Sequence, residues 1–100
     1  MPLPCLPAAR ALAASGTSTG GCKRNRDWLS DKVMVAPEVP EDLVEIAFDP
    51  QTSGGLLVAI AERDVPSVLE ALRRAGTLVA TVVAHAEPRT DGPWLHLKRH

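Results

Sequence analysis

The sequence predicts an α/β domain in which helices cover a sheet. Three observations predict it. Residues 56–61 form a continuous apolar run, the pattern of a strand covered on both faces. Val65, Val68, Leu69, Leu72 and Ala75 recur at helical spacing. Residues 77–84 are rich in β-branched side chains, which suit an inner strand. With the remaining segments the order reads helix, strand, helix, strand, helix, strand, strand, and such elements pack as a sheet with helices against it.

Residues 1–5 carry Pro2 and Pro4 and are expected to be irregular. Leu6, Ala9 and Ala13 share helical spacing over residues 6–14, with Pro7 tolerable in the first turn and Gly16 as a stop. Residues 15–27, SGTSTGGCKRNRD, read as a polar loop. Trp28 and Leu29 return to apolar character, and residues 32–35 suit a short strand. Pro40 can open the next helix, with Glu41 and Asp42 at its positive end. Leu43, Ile46 and Ala47 would share its inner face. Pro50 ends that helix by pushing the preceding residue out of helical geometry. After the run at 56–61, Asp64 suits an N-cap, Pro66 a helix start and Gly76 a helix end. Asp91 and Gly92 signal a turn. Residues 94–98 alternate, with Leu95 and Leu97 facing one way, as in an outer strand.

One hundred residues suffice for one domain. The apolar share is 45%, yet aromatics make up only 3%, so the core must come from Leu, Val, Ile and Ala. A formal net charge of −1 provides no bulk field for nucleic acid or an anionic membrane, and neither partner is expected. No apolar run approaches the roughly 18 residues of a membrane span. A single early cation, Arg10, makes a poor secretory signal, which implies a cytoplasmic protein. Cys5 and Cys22 form neither a C-x-x-C pair nor a cluster with histidine. Two free thiols are expected, without structural zinc.

Two loops hold the residue types that chemistry needs. In the first, Gly20 and Gly21 let the backbone approach a ligand in a turn whose amides cradle an anion. Arg24 can grip a phosphate through two hydrogen bonds, and Asn25 both donates and accepts. A solvated basic loop would carry the same residues. The second runs from Phe48 through Asp49, Pro50, Gln51, Thr52, Ser53, Gly54 and Gly55. Its hydroxyls and glycine amides suit oxyanions, while a plain connector in which Asp49 caps a turn would look alike. Cys22 beside Lys23 and Arg24 has the surroundings of a lowered thiol pKa, but no histidine stands near. His85, His96 and His100 show no ligand spacing. Glu38, Glu41, Asp42 and Glu45 read as a solvated helix face.

FDPQTSGGLLVAI closely resembles the C-terminal signature of the selenide, water dikinases, or selenophosphate synthetases. GGCKRNRDWL resembles that family's GGTxRN segment, with Cys22 where Thr is usual, and LPAARALAASG resembles the helix before it. The resemblance implies a C-terminal α+β domain, a three-layer α/β/α sandwich partly like the ferredoxin fold. The enzymes it resembles belong to a wider ATP-dependent superfamily that includes aminoimidazole ribonucleotide synthetase. The resemblance further implies a partner N-terminal domain that binds ATP and drives homodimerisation, and formation of selenophosphate from selenide and ATP with release of AMP and phosphate. Gly20, Gly21, Arg24, Asn25 and residues 49–55 would line this domain's side of the cleft. The family's glycine-rich loop with its catalytic Cys or selenocysteine and nearby Lys has no counterpart here, nor have the aspartates that hold Mg²⁺ on ATP. Phosphoryl transfer needs those groups, so the resemblance implies no cofactor bound by this chain alone, and no catalysis without the rest of the enzyme. A non-catalytic module that keeps the fold and binds a ligand or protein is the alternative.

Overall fold

A computed structural model describes residues 3–99. Helix α1 spans Ala9–Ala14, α2 Gly20–Trp28, strand β1 Val33–Val35, and α3 Glu41–Phe48. A 3₁₀ turn, Glu62–Asp64, leads into α4, Val65–Arg74, and strand β2 is Leu95–Leu97. The architecture is mixed α+β. Its sheet, among the described residues, consists of β1 and β2 in parallel, with Val33 opposite Leu95, Met34 opposite His96 and Val35 opposite Leu97.

The core is small and lies between α2, α3 and the sheet. Cys22, Val39, Val44 and Phe48 are buried together, and Leu29, Val33, Ala36 and Leu43 pack against them. Val44 and Phe48 are one turn apart on α3, at the i, i+4 spacing that stacks side chains on one face. They therefore define its inner face, rather than the Leu43, Ile46 and Ala47 set expected from the sequence. Leu43 and Ile46 are half-buried at its flanks and Ala47 is exposed. Leu97 is buried on β2 while Leu95 is exposed, so the two leucines do not share one environment in so short a sheet.

The polar stretch expected as a loop is instead largely helix α2. The reason is local. Thr19 is extended (φ −104°, ψ 157°), and its hydroxyl accepts from the Cys22 amide at 3.1 Å, a side-chain N-cap. Gly20 and Gly21 occupy the first turn. Lys23 and Asp27 then pair at i, i+4 with 2.8 Å between Nζ and Oδ2. Helix α1 begins at Ala9 rather than Leu6. Gly16 follows it at φ +87°, Gly76 follows α4 at φ +77°, and Gly92 turns at φ +137°, a left-handed geometry that glycine adopts without strain. The stops and the turn thus fall where the sequence put them. Asp64 flanks α4 but makes no side-chain cap. It sits in a helical conformation because the 3₁₀ turn already runs through it.

The expected strands at 56–61 and 77–84 are not formed. Both runs lie outside regular structure, with Leu56 95% exposed and Leu78 100% exposed. Strand preference expresses packing against a neighbour more than a backbone tendency, and neither run has a neighbouring strand. Helix α4 forms as its stripe predicts, yet none of its residues is buried. Between Trp28 and Trp94, the Lys32 ammonium lies 4.9 Å and 5.6 Å from the two ring centroids, a cation–π clasp. The Lys32 carbonyl accepts from the Trp94 and Leu95 amides at 2.7 and 3.1 Å, which starts the parallel register.

Truncation of Phe48 to Ala removes the largest side chain of this core. It is expected to lower stability by about 3 kcal/mol, whereas Leu6→Ala on the exposed surface changes it by less than about 0.5 kcal/mol. Urea unfolding followed by far-UV circular dichroism checks both.

Candidate functional site

The two motif loops meet at the N-terminal end of α2. A Cβ added at Gly21 would lie 2.7 Å from the Pro50 ring Cγ, so only glycine allows the second loop to approach this closely. One turn further along α2, the Asn25 side-chain amide donates to the Phe48 carbonyl at 3.0 Å. That bond satisfies an orphan carbonyl at the end of α3 and fixes where the 49–55 loop begins. Gly54 lies against its own loop, since a Cβ there would stand 2.9 Å from the Gln51 side-chain oxygen. Asp49, Gln51, Thr52, Ser53, Gly54 and Gly55 are all exposed.

The helix end itself has the polarity of an anion site. With Thr19 taking the Cys22 amide, Gly20 and Gly21 occupy the first two helical positions, where N–H groups have no intrahelical acceptor. The helix dipole adds partial positive charge there. Gly20 and Gly21 do not adopt positive φ, so the expected turn-type nest is replaced by a capped helix start. Arg24 folds back over it, placing Nη1 3.2 Å from where a Gly20 Cβ would stand. Lys23 and Arg26 are ion-paired, and no ion pair engages Arg24 among the described residues. Its guanidinium remains available to an oxyanion.

Sequence reasoning missed the cluster that holds this geometry. Glu45 on α3 accepts from Ser18, from the Cys22 thiol at 3.2 Å and from Arg26 Nη1 at 3.0 Å. The same Arg26 nitrogen reaches Glu41 at 2.6 Å. On the other side of α3, Arg10 of α1 grips Asp42 through Nε and Nη2 at 2.6 and 3.2 Å. The acidic face expected to be solvated is therefore half an ion-pair network, because α1 and α2 bring cations to it. An open cavity of about 510 Å³ is lined by Ala13, Ala14, Gly16, Ser18, Glu41, Asp42 and Glu45. None of the motif-loop residues lines it, and its acidic rim does not suit an anion.

Hydrogen bonds from Ser18, Cys22 and Arg26 hold the Glu45 carboxyl below its ordinary pKa. Arg10 does the same for Asp42. Burial pushes the Cys22 thiol upward, reinforced by the Glu45 hydrogen bond and charge. The lowered thiol pKa suggested by Lys23 and Arg24 is thus reversed, and Cys22 acts as a packed core group. Cys5 is also a free thiol. Among the described residues no group of three or more His, Cys, Asp or Glu is placed to hold a metal, and no helix is long and apolar enough to cross a membrane. His85 and His96 are exposed. His100, like Pro2, lies outside the described residues.

The fold and site together define a small α+β unit whose capped helix N-terminus meets a Gly/Ser/Thr loop. No family model matches the chain, and no solved structure matches it. Curated relatives do. It is 33% identical over 89 residues to a selenide, water dikinase of Caldanaerobacter subterraneus, covering 89% of this chain and 26% of the relative. It is 37% identical over 91 residues to one of Agathobacter rectalis, 91% of this chain and 26% of the relative. For one of Nitratidesulfovibrio vulgaris the identity is 44% over 71 residues, 71% of this chain and 20% of the relative. This chain is similar to selenide, water dikinases over most of its own length and spans about a quarter of the length of these relatives.

Glu45 provides a test of the network. Its lowered folded pKa means that the unfolded chain binds the proton more readily. The stabilisation is therefore complete above the ordinary value of 4.5 and is lost as pH falls through the lower folded value. Glu45→Gln is expected to flatten this part of the stability–pH curve, measured by urea midpoints between neutral pH and about pH 3.

Proposed function

We propose that this chain is the C-terminal domain of a selenide, water dikinase and supports the ATP-dependent formation of selenophosphate from selenide. Its N-terminal ATP-binding partner would supply the catalytic Cys or selenocysteine, the Lys and the Mg²⁺ ligands. The complete enzyme would be a cytoplasmic homodimer. In that assembly the runs at 56–61 and 77–84 would become inner strands of a three-layer, partly ferredoxin-like sandwich. The observation that carries the reading is the junction of Gly21 with Pro50 beside the Asn25–Phe48 bond. It puts both motifs that resemble the family's signature at one helix N-terminus.

In this reading the Gly20 and Gly21 amides and the Arg24 guanidinium face phosphate oxygens, which a helix N-terminus and a forked guanidinium both suit. Thr52, Ser53 and the Gly54 and Gly55 amides close the same side from the second loop. Asp49 and Gln51 shape that loop. Magnesium requires several oxygen ligands, and the two loops contribute one carboxylate, Asp49. In this reading the metal ligands come from the other domain, and the loop residues of this chain orient and neutralise phosphate charge.

A second reading, a non-catalytic binding module, is favoured by exposed apolar surface. Leu6 is 80% and Trp28 67% exposed.

Mixing the chain with a separately produced N-terminal part of a relative tests the first reading. Selenide-dependent AMP release is expected to rise above that of the N-terminal part alone, and Arg24→Ala is expected to reduce the gain about tenfold or more. No gain with the unaltered chain would overturn the reading and leave the module.

A further inference from the structure

The cation–π clasp takes no part in either motif loop. Trp28 closes α2, Lys32 precedes β1 and Trp94 precedes β2. The Lys32 carbonyl accepts from the Trp94 and Leu95 amides, so the parallel register itself brings both indoles to one ammonium, at 4.9 and 5.6 Å. Arg89 adds its guanidinium 5.4 Å from the Trp94 ring centroid. Indole and cation thus alternate in the order Trp28, Lys32, Trp94, Arg89.

The clasp is incomplete in two respects. Trp28 is 67% and Trp94 58% exposed, although an indole is among the side chains that gain most from burial. Its charge is also unbalanced. Lys32 donates to Asp31 at 3.0 Å, but no ion pair engages Arg89 among the described residues. Two cations therefore face one carboxylate. Exposed tryptophan beside arginine is the pairing that anchors protein interfaces. The free guanidinium calls for an acid, since a carboxylate forks onto it through two parallel hydrogen bonds. The bare rings call for an apolar side chain next to that acid.

We propose that the clasp docks an acidic segment of another protein, one in which an Asp or Glu stands beside an apolar side chain. The carboxylate forks onto Arg89, and its apolar neighbour lies against the indoles. The Lys32 ammonium is already held between the rings, with its side chain 24% exposed, so little ordering is needed on this side. A nucleic acid suits the surface less. Its affinity accumulates over many phosphate contacts, whereas the clasp has one cation free of a carboxylate, and a net charge of −1 provides no field to draw a polyanion. The clasp stands where β1 and β2 begin, outside the edges along which the runs at 56–61 and 77–84 would pair in the complete enzyme. The docking surface goes beyond the dikinase reading and does not depend on it, since it involves neither ATP nor selenide nor either motif loop.

Trp28 and Trp94 are the two tryptophans of the chain, so its indole fluorescence reports on the clasp alone. The full chain is titrated with the tryptophan-free peptide Glu-Glu-Leu-Phe-Glu-Asp. A saturable change in tryptophan emission is expected. Arg89 is exposed, and Arg89→Ala is expected to keep the circular dichroism and weaken binding about tenfold or more. Arg89→Lys, which keeps the charge without the fork, is expected to restore part of the loss. The same peptide with Gln and Asn for its acids, or with Ser for Leu and Phe, is expected to bind about tenfold more weakly or not at all. No saturable change up to millimolar peptide overturns the proposal, as does a change that Arg89→Ala leaves intact. Acetate that reproduces the change at equal concentration, or oligouridine that binds more tightly than the peptide, overturns the assignment to a protein segment.

Discussion

The contact between α2 and α3 is the constraint on which the rest depends. Two polar groups on α2 make it specific. Asn25 ties the end of α3 at the Phe48 carbonyl, and Cys22 sits buried against Glu45. Around this pair the four-residue core closes. Removing either helix would leave Val44 and Phe48 exposed and separate the two motif loops. Structure and candidate site are thus one feature, because the residues that bury Phe48 also set the path of the chain from Asp49 onward.

Electrostatics fixes the direction of the contact. Helix α3 carries Glu41, Asp42 and Glu45 on adjoining turns, and its neighbours meet them with Arg10 and Arg26. Exposed pairs of this sort contribute little individually. Their value here is registry: Arg26 bridges two carboxylates while Ser18 and Cys22 satisfy the remaining Glu45 oxygen. With its neighbouring cations so engaged, Arg24 is left beside the first turn of α2. The positive end of that helix has a polarity that suits an anion, and it is where the second loop arrives.

Much of this was legible in the sequence. Proline and glycine marked the start of α3, the ends of α1 and α4 and the Asp91–Gly92 turn. The two loops stood out by composition and by their likeness to one family, which the relatives bear out. Helix α2 was not legible, because GGCKRNRD lacks an apolar stripe. Its formation rests on the Thr19 cap, on the Lys23–Asp27 pair within the helix and on Arg26, whose partners lie on another helix. The Glu45 cluster was hidden for the same reason, since four acidic residues read as a wet face until α1 and α2 are placed. The runs at 56–61 and 77–84 were read correctly as apolar and wrongly as paired strands. A sequence pattern reports what a segment would bury and is silent on whether a neighbour is present to bury it.

The junction of the two loops is open to direct observation. Nuclear Overhauser spectroscopy on the uniformly labelled chain reports whether the Gly21 α-protons and the Pro50 ring protons are neighbours. The account predicts cross-peaks between them, together with contacts from the Asn25 side-chain amide to the last turn of α3. Absence of both sets of peaks, in spectra where α2 and α3 are otherwise intact, would contradict a shared site.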